Sequence, residues 1–268
     1  MKKVVVFLMI AGLTSLYVSG QRREVRQVSG FTGIDASSVF NITVTKGSAE
    51  SLTIETDESV MQYVRSEVRN GVLHLYLDTG AGRATRNIRT LKASIVMRDL
   101  ESVSLSGSTS LTANDLFTPA TFTGKCSGAS NLTVNINARK LEIGASGSSK
   151  IHMKANVTGD ADMNLSGTSR VRGEVKANIV KFNSSGVSAV DLTGSATDVK
   201  MDVSGTAKIN AVDFIVKTAA VNSAGTGNVR INVTDALTVN SSGVSSISYK
   251  GSPSITSNIS GAARVQKL

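Results

Sequence analysis

The side chains able to do acid–base or metal chemistry in this chain are two histidines, one cysteine and 20 carboxylates. Paired carboxylates would suit a glycoside hydrolase. Clustered carboxylates beside a Lys or Arg base would suit a calcium-dependent polysaccharide lyase, and His or Cys at ligand spacing would hold zinc. His74 and His152 lie far apart in strand-like runs with no partner at metal-ligand spacing. Cys126 is the sole cysteine and has no internal disulfide partner, so its expected role is that of a buried small residue. No Gly-rich phosphate loop and no nucleophile elbow occurs. Against these stand 29 basic residues, among them Lys150, Arg170, Arg172, Lys181, Lys200, Lys208 and Arg230.

What brings such residues together, or keeps them apart, is a Ser-Gly pair that returns at a near-constant interval. Its glycines are Gly107, Gly128, Gly147, Gly167, Gly186, Gly205, Gly225, Gly243 and Gly261, spaced 21, 19, 20, 19, 19, 20, 18 and 18 residues apart. Four residues after each stand Leu111, Leu132, Ile151, Val171, Val190, Ile209, Val229, Ile247 and Val265, all aliphatic. Two after each, from Thr109 and Ser130 through Ala207 and Gly227 to Ala263, every residue is small. Four before sit Ile143, Met163, Phe182, Met201, Val221 and Val239, while the positions between are polar. Apolar and polar residues alternate on both sides of the glycine, the period of a strand and not of a helix.

A unit of about nineteen residues cannot bury its own apolar stripe, so the units must stack, each aliphatic side chain on its counterpart about 4.8 Å along the axis. The expected fold is all-β: a right-handed parallel β-helix of about nine coils. Right-handedness follows from the drifting repeat length and the single conspicuous corner per coil. Glycine supplies the positive φ of that corner. Three before it, Asn164, Asn183, Asp202, Asn222, Asn240 and Asn258 form a column able to bond coil to coil. That ladder also accounts for the Asn-x-Ser triplets such as Asn164-Leu165-Ser166.

Alignment on the glycines also tests the carboxylates. Asp160 and Asp198 share a column with Ile179 between them. Asp162, Asp191, Asp202, Asp213 and Asp235 fall in different columns, and Glu142 and Asp162 stack but are followed by Lys181 and Lys200. The expectation is a mixed charge ladder on an exposed face, with no catalytic, metal or cofactor site. The outward cations named above form the candidate contact face for an anionic glycan or lipopolysaccharide; solubility of a β-rich surface is the competing explanation for them.

The remaining segments divide the chain. Residues 1–20 read as a signal peptide, with Lys2 and Lys3, the apolar Val4–Leu13 run and the small residues Val18-Ser19-Gly20. Without the two lysines the chain carries 27 basic and 20 acidic residues, a charge of +7 that favours anionic partners. No nucleic-acid motif accompanies it, and no transmembrane segment is expected after cleavage. Residues 21–100 lack the repeat but read as β. Phe40, Ile42 and Val44 alternate, Asp57–Tyr63 suggests a helical turn, and Asn70-Gly71 makes a hairpin turn between Val64–Arg69 and Val72–Leu77. Leu91–Met97 reads as another strand, and Arg83, Arg86, Arg89 and Lys92 make a basic loop between the strands. This segment is expected to cap or continue the solenoid of residues 101–268, since a bare coil end exposes unpaired strand edges.

Arg26-Gln27-Val28 leading into Phe31-Thr32-Gly33-Ile34, the Val64–Leu77 hairpin, and Asp99-Leu100-Glu101-Ser102-Val103 running into Leu105-Ser106-Gly107-Ser108 and the later Ser-Gly pairs resemble the auto-transporter adhesin, head GIN domain family of exported bacterial proteins. The resemblance spans nearly the whole chain after residue 20. It implies a β-helix similar to pectin lyases, a role in adhesion and no catalytic site. The repeats run to Val265, so a self-translocating barrel is not expected. The functional expectation is a non-catalytic exported solenoid, in the periplasm, on the outer surface or secreted, that contacts an anionic glycan, lipopolysaccharide or another surface protein. A carbohydrate-active β-helix enzyme is the alternative.

Overall fold

The computed structural model describes residues 20–82 and 88–268; the expected signal peptide and the loop arginines Arg83 and Arg86 lie outside them. The protein is nearly all-β, 71% strand and 2% helix, and winds into a solenoid of about nine turns. Each coil contributes one stretch before the corner glycine and one after it. We call the stacks they build the leading and trailing rows.

In the trailing row, Ser110–Phe117, Asn131–Ala138, Lys150–Val157 and the first half of Arg170–Ser184 pair in parallel, so that Leu111, Leu132, Ile151, Val171 and Val190 stand in register. Ile209, Val229, Ile247 and Val265 extend the file. In the leading row, Thr121–Cys126, Lys140–Ala145 and Asp160–Leu165 stack in the same way and align Ile143, Met163, Phe182 and Met201. All of these except Val265, which is partly buried, are at most 2% exposed, and both rows feed one continuous core. Each buried aliphatic contributes about 1.5–3 kcal/mol before chain entropy is counted.

The corner is a close backbone-on-backbone approach between coils. The nine corner glycines, from Gly107 to Gly261, all have positive φ, and a Cβ at each would lie 2.5–2.8 Å from the carbonyl oxygen of the residue one coil earlier. Below Gly107 the equivalent place is held by Ser38, at φ 86°. The drift in repeat length is absorbed elsewhere. Register slips after Val134, where Asn135 faces Leu116 and leaves Asn114 and Asp115 as extra residues. It slips again after Ala211, where Ile215 faces Asn232 and Val212, Asp213 and Phe214 are extra, and in the opposite sense between Val216 and Thr218.

At the N-terminal end the parallel order gives way. Gly33–Ala36 still runs parallel to Val72–Leu77 and to Ser102–Leu105, but Ser51–Asp57 pairs antiparallel with both Leu91–Met97 and Gln21–Arg26. The Asn70-Gly71 hairpin turn has both φ values positive, 50° and 74°, as a type I′ turn requires. The helical turn is Glu58–Met61. At the other end the strands Ser254–Ile259 and Arg264–Lys267 are mostly exposed.

Candidate functional site

The cations anticipated as one face stand in two rows. Lys150, Arg170 and Lys208 are three residues after their glycines, and Arg172 and Arg230 five after, all in the trailing row. Lys181 and Lys200 belong to the leading row, across the glycine corner. The glycine corner separates the two rows, with Lys181 and Lys200 before it and the other five cations after it.

Their charges also differ in availability. Lys181 Nζ lies 3.0 Å from Asp160 and 3.9 Å from Asp162. Its hydrogen bond to Asp160 holds the ammonium pKa above its ordinary value. Lys200 pairs with Asp202 at 3.4 Å, and Arg172 with Asp191 at 3.0 Å. Lys150, Arg170, Lys208 and Arg230 have no acidic partner among the described residues, although all four are exposed. Lys150 and Arg170 are in adjacent coils; Ala189 follows in the same column and then Lys208. Together with Ser148, Thr168 and Thr206 these cations line a groove of about 520 Å³ running along the axis. Unpaired guanidinium and ammonium groups beside hydroxyl donors form a site suited to anionic oxygens.

The leading row carries different chemistry. Its groove of about 740 Å³ is lined by the amide column. Asn183 Nδ2 donates to Asn164 Oδ1 at 2.9 Å, Asn222 to Asp202 at 2.6 Å and Asn240 to Asn222 at 3.0 Å. An adjoining groove holds Thr123, Lys125, Glu142, Asp162 and Lys181. Glu142 and Asp162 stand opposite each other in adjacent coils, the one place among the described residues where two carboxylates stack as a hydrolase would need. Lys140 Nζ lies 2.6 Å from Glu142 and holds that carboxyl below its usual range, while Glu142 holds the ammonium of Lys140 above its own. A general acid needs the opposite shift, and a lyase base needs a lysine that gives up its proton readily. The arrangement favours fixed charges over proton transfer. His74 Nδ1 sits 3.3 Å from Asp35, and His152 is exposed on the trailing row. Among the described residues no three His, Cys, Asp or Glu side chains gather into a metal site.

Cys126 is buried, and that burial pushes its thiol up to about 11. It belongs to a pairing that periodicity alone did not reveal: the residues two before and two after the glycine meet inside the corner. Ser184 bonds Ser188, and Ser241 bonds Ser245. Ser223 faces Gly227, and its buried hydroxyl has no partner. Sequence reasoning also missed Leu116 and Ile215, which are 47% and 51% exposed beside the two register slips. The intervals of 21 and 20 residues marked the coils holding the extra residues, but not where in the coil those residues stand.

Among the described residues no helix is long and apolar enough to cross a membrane. No curated protein sequence matches the chain. Solved structures do. A putative adhesin from Parabacteroides merdae shares 17% identity over 93% of this chain and 96% of that one, with TM-score 0.73. A putative adhesin from Parabacteroides distasonis shares 19% over 92% and 97%, with TM-score 0.70. A putative lipid binding protein from the same species shares 20% over 93% and 97%, with TM-score 0.69. At these identities the likeness establishes the solenoid fold. Residues 30–173 and 155–253 match the family described as "Putative auto-transporter adhesin, head GIN domain", and the chain belongs to that family.

Proposed function

We propose that the protein is an exported, non-catalytic contact protein of the cell envelope that attaches to an anionic surface through the trailing row. The observation that carries this reading is the unpaired column of Lys150, Arg170 and Lys208 along one groove, on a solenoid whose other cations in these columns are mostly neutralised by carboxylates. Coils repeat at about 4.8 Å, so the cations offer a regular, laterally extended array, which matches a repeating polyanion better than a single small molecule. The adhesin description of the family and of its structural neighbours supports a binding role. The description of one neighbour as lipid binding is compatible with an envelope surface as the target.

The test is retention on immobilised lipopolysaccharide and polygalacturonate against a neutral glucan, at low and at physiological salt. Binding is expected to the anionic surfaces alone, to weaken with salt, and to fall with Lys150, Arg170 and Lys208 replaced by Ser. Equal retention of the triple variant, or release of unsaturated or reducing ends from the polymer, overturns the proposal.

A further inference from the structure

The register slips after Val134 and after Ala211 are the same device used twice. In each, extra residues are inserted into the trailing row, and an Asn of the next coil donates to a carbonyl of the insertion. Asn135 Nδ2 reaches Asn114 O at 3.3 Å, and Asn232 Nδ2 reaches Val212 O at 3.2 Å. In each, a phenylalanine turns inward, Phe117 and Phe214 being at most 1% exposed, while the adjacent aliphatic residue turns outward. Leu116 faces Asn135 and Ile215 faces Asn232, both seven residues after a corner glycine, so the two aliphatic side chains project from one column. The first knuckle is also braced from the preceding coil: Lys46 Nζ donates to Leu116 O at 3.1 Å, and Lys46 N to Asp115 at 2.8 Å.

A lone exposed aliphatic means little. Two held rigidly at matched positions, with polar residues between them in the same column, are a different matter. Five coils separate them, about 24 Å along the axis. The surface between them carries the unpaired Lys150, Arg170 and Lys208, while Lys154 and Lys176 pair with Glu174, Arg172 pairs with Asp191, and the exposed Asp115 and Asp213 stand close to the two aliphatic residues. A net positive face with shallow apolar projections beside it is what a peripheral contact with an anionic bilayer uses. The cations meet headgroup phosphates, and the aliphatic tips enter the boundary between headgroups and acyl chains.

We infer that the trailing row docks on an anionic lipid bilayer, with Leu116 and Ile215 as twin apolar anchors in a column beside the cationic groove. This rests on the anionic-surface reading above and specifies the surface; a soluble polyanion would engage the cations but leave the two aliphatic side chains without a role.

The experiment uses the chain as it is, with vesicles of phosphatidylethanolamine and phosphatidylglycerol, vesicles of phosphatidylcholine, and soluble polygalacturonate. Sedimentation with the anionic vesicles alone is expected. Replacing Leu116 and Ile215 together by Ser should weaken it about tenfold or more and leave polygalacturonate binding unchanged. Replacing Lys150, Arg170 and Lys208 should weaken both, by about fivefold per cation on vesicles at low salt. The chain has no tryptophan, so Leu116→Trp and Ile215→Trp each supply a single reporter on an exposed site. Their emission should shift to the blue with anionic vesicles and not with polygalacturonate. Vesicle binding that survives the double Ser variant, or reporters that do not shift on bound vesicles, overturns the bilayer inference. Polygalacturonate binding without vesicle binding also overturns it and leaves the anionic-surface reading standing. Binding to neither probe overturns both.

Discussion

Gly167 and Gly144 lie in neighbouring coils and provide a matched test of the corner. Gly167 has φ 66°, and a Cβ there would stand 2.7 Å from the carbonyl oxygen of Gly147, 2.9 Å from its nitrogen and 3.2 Å from its Cα. All three are backbone atoms of the coil beneath, so no side chain can move aside. The left-handed conformation itself costs an L-residue about 1–2 kcal/mol. Relieving the contact requires the coils to part at a point where Ser166 N, Thr168 N and Arg170 N bond Ala145 O, Gly147 O and Ser149 O at 2.8, 2.7 and 2.9 Å. Weakening two of these adds about 1–2 kcal/mol. Gly167→Ala should therefore lose about 2–4 kcal/mol. Gly144 is not in the left-handed region, and a Cβ there would meet only Lys125 Cγ, at an ordinary 3.7 Å. Gly144→Ala should be neutral or gain up to about 1 kcal/mol from reduced chain entropy. Urea unfolding followed by circular dichroism, with the slope checked for constancy, compares the two. If the variants agree within about 0.5 kcal/mol, a resolution typical of such mutant comparisons, the reading of the corner as a backbone-on-backbone stack is wrong.

Three further outcomes follow from the same geometry. Gly227→Ser sets a Cβ 2.8 Å from Ser223 Oγ, a side-chain atom that can rotate to become the partner the buried hydroxyl lacks; with that rotation it should raise the urea midpoint by the equivalent of about 1 kcal/mol, and no change would mean that the corner hydroxyl pairs contribute nothing. Asn183→Asp removes the bond donated to Asn164 and sets a carboxylate opposite Asp202 in the next coil. It should cost about 1–2 kcal/mol at low salt and less at high salt, measured by unfolding at two ionic strengths. Burial keeps Cys126 neutral in the fold up to about 11, above the ordinary thiol value of 9.0. It should ignore a thiol reagent at pH 8 until the chain unfolds. Because the folded pKa is the higher, the unfolded chain releases its proton first, and stability should fall as pH rises from about 9 to about 11; Cys126→Ser should flatten that fall.

Much of this molecule is legible one residue at a time. The nine corner glycines, the aliphatic column from Leu111 to Val265 and the amide column all follow from a repeat in which each coil solves the same burial problem in the same way. Position in the repeat therefore predicts both burial and neighbour, and the family likeness rests on the same recurring pairs. The Glu142–Asp162–Lys181–Lys200 succession could likewise be read directly, because stacking places equal offsets side by side.

What the linear pattern did not contain is whatever depends on three dimensions within a coil. The meeting of Ser184 with Ser188, or of Ser223 with Gly227, happens because the corner folds two positions on either side of the glycine onto each other. Lys181 is neutralised by Asp160 through a diagonal contact set by side-chain direction, whereas Lys150 and Arg170 keep their charge free. Leu116 and Ile215 look like further members of an apolar alternation until the extra residues rotate them outward and send Phe117 and Phe214 in. Periodicity determined the solenoid, because burial of a repeated stripe admits few other solutions. Tertiary structure alone decided which charges and which aliphatic groups reach the surface unpaired, because that depends on local register and on the reach of individual side chains.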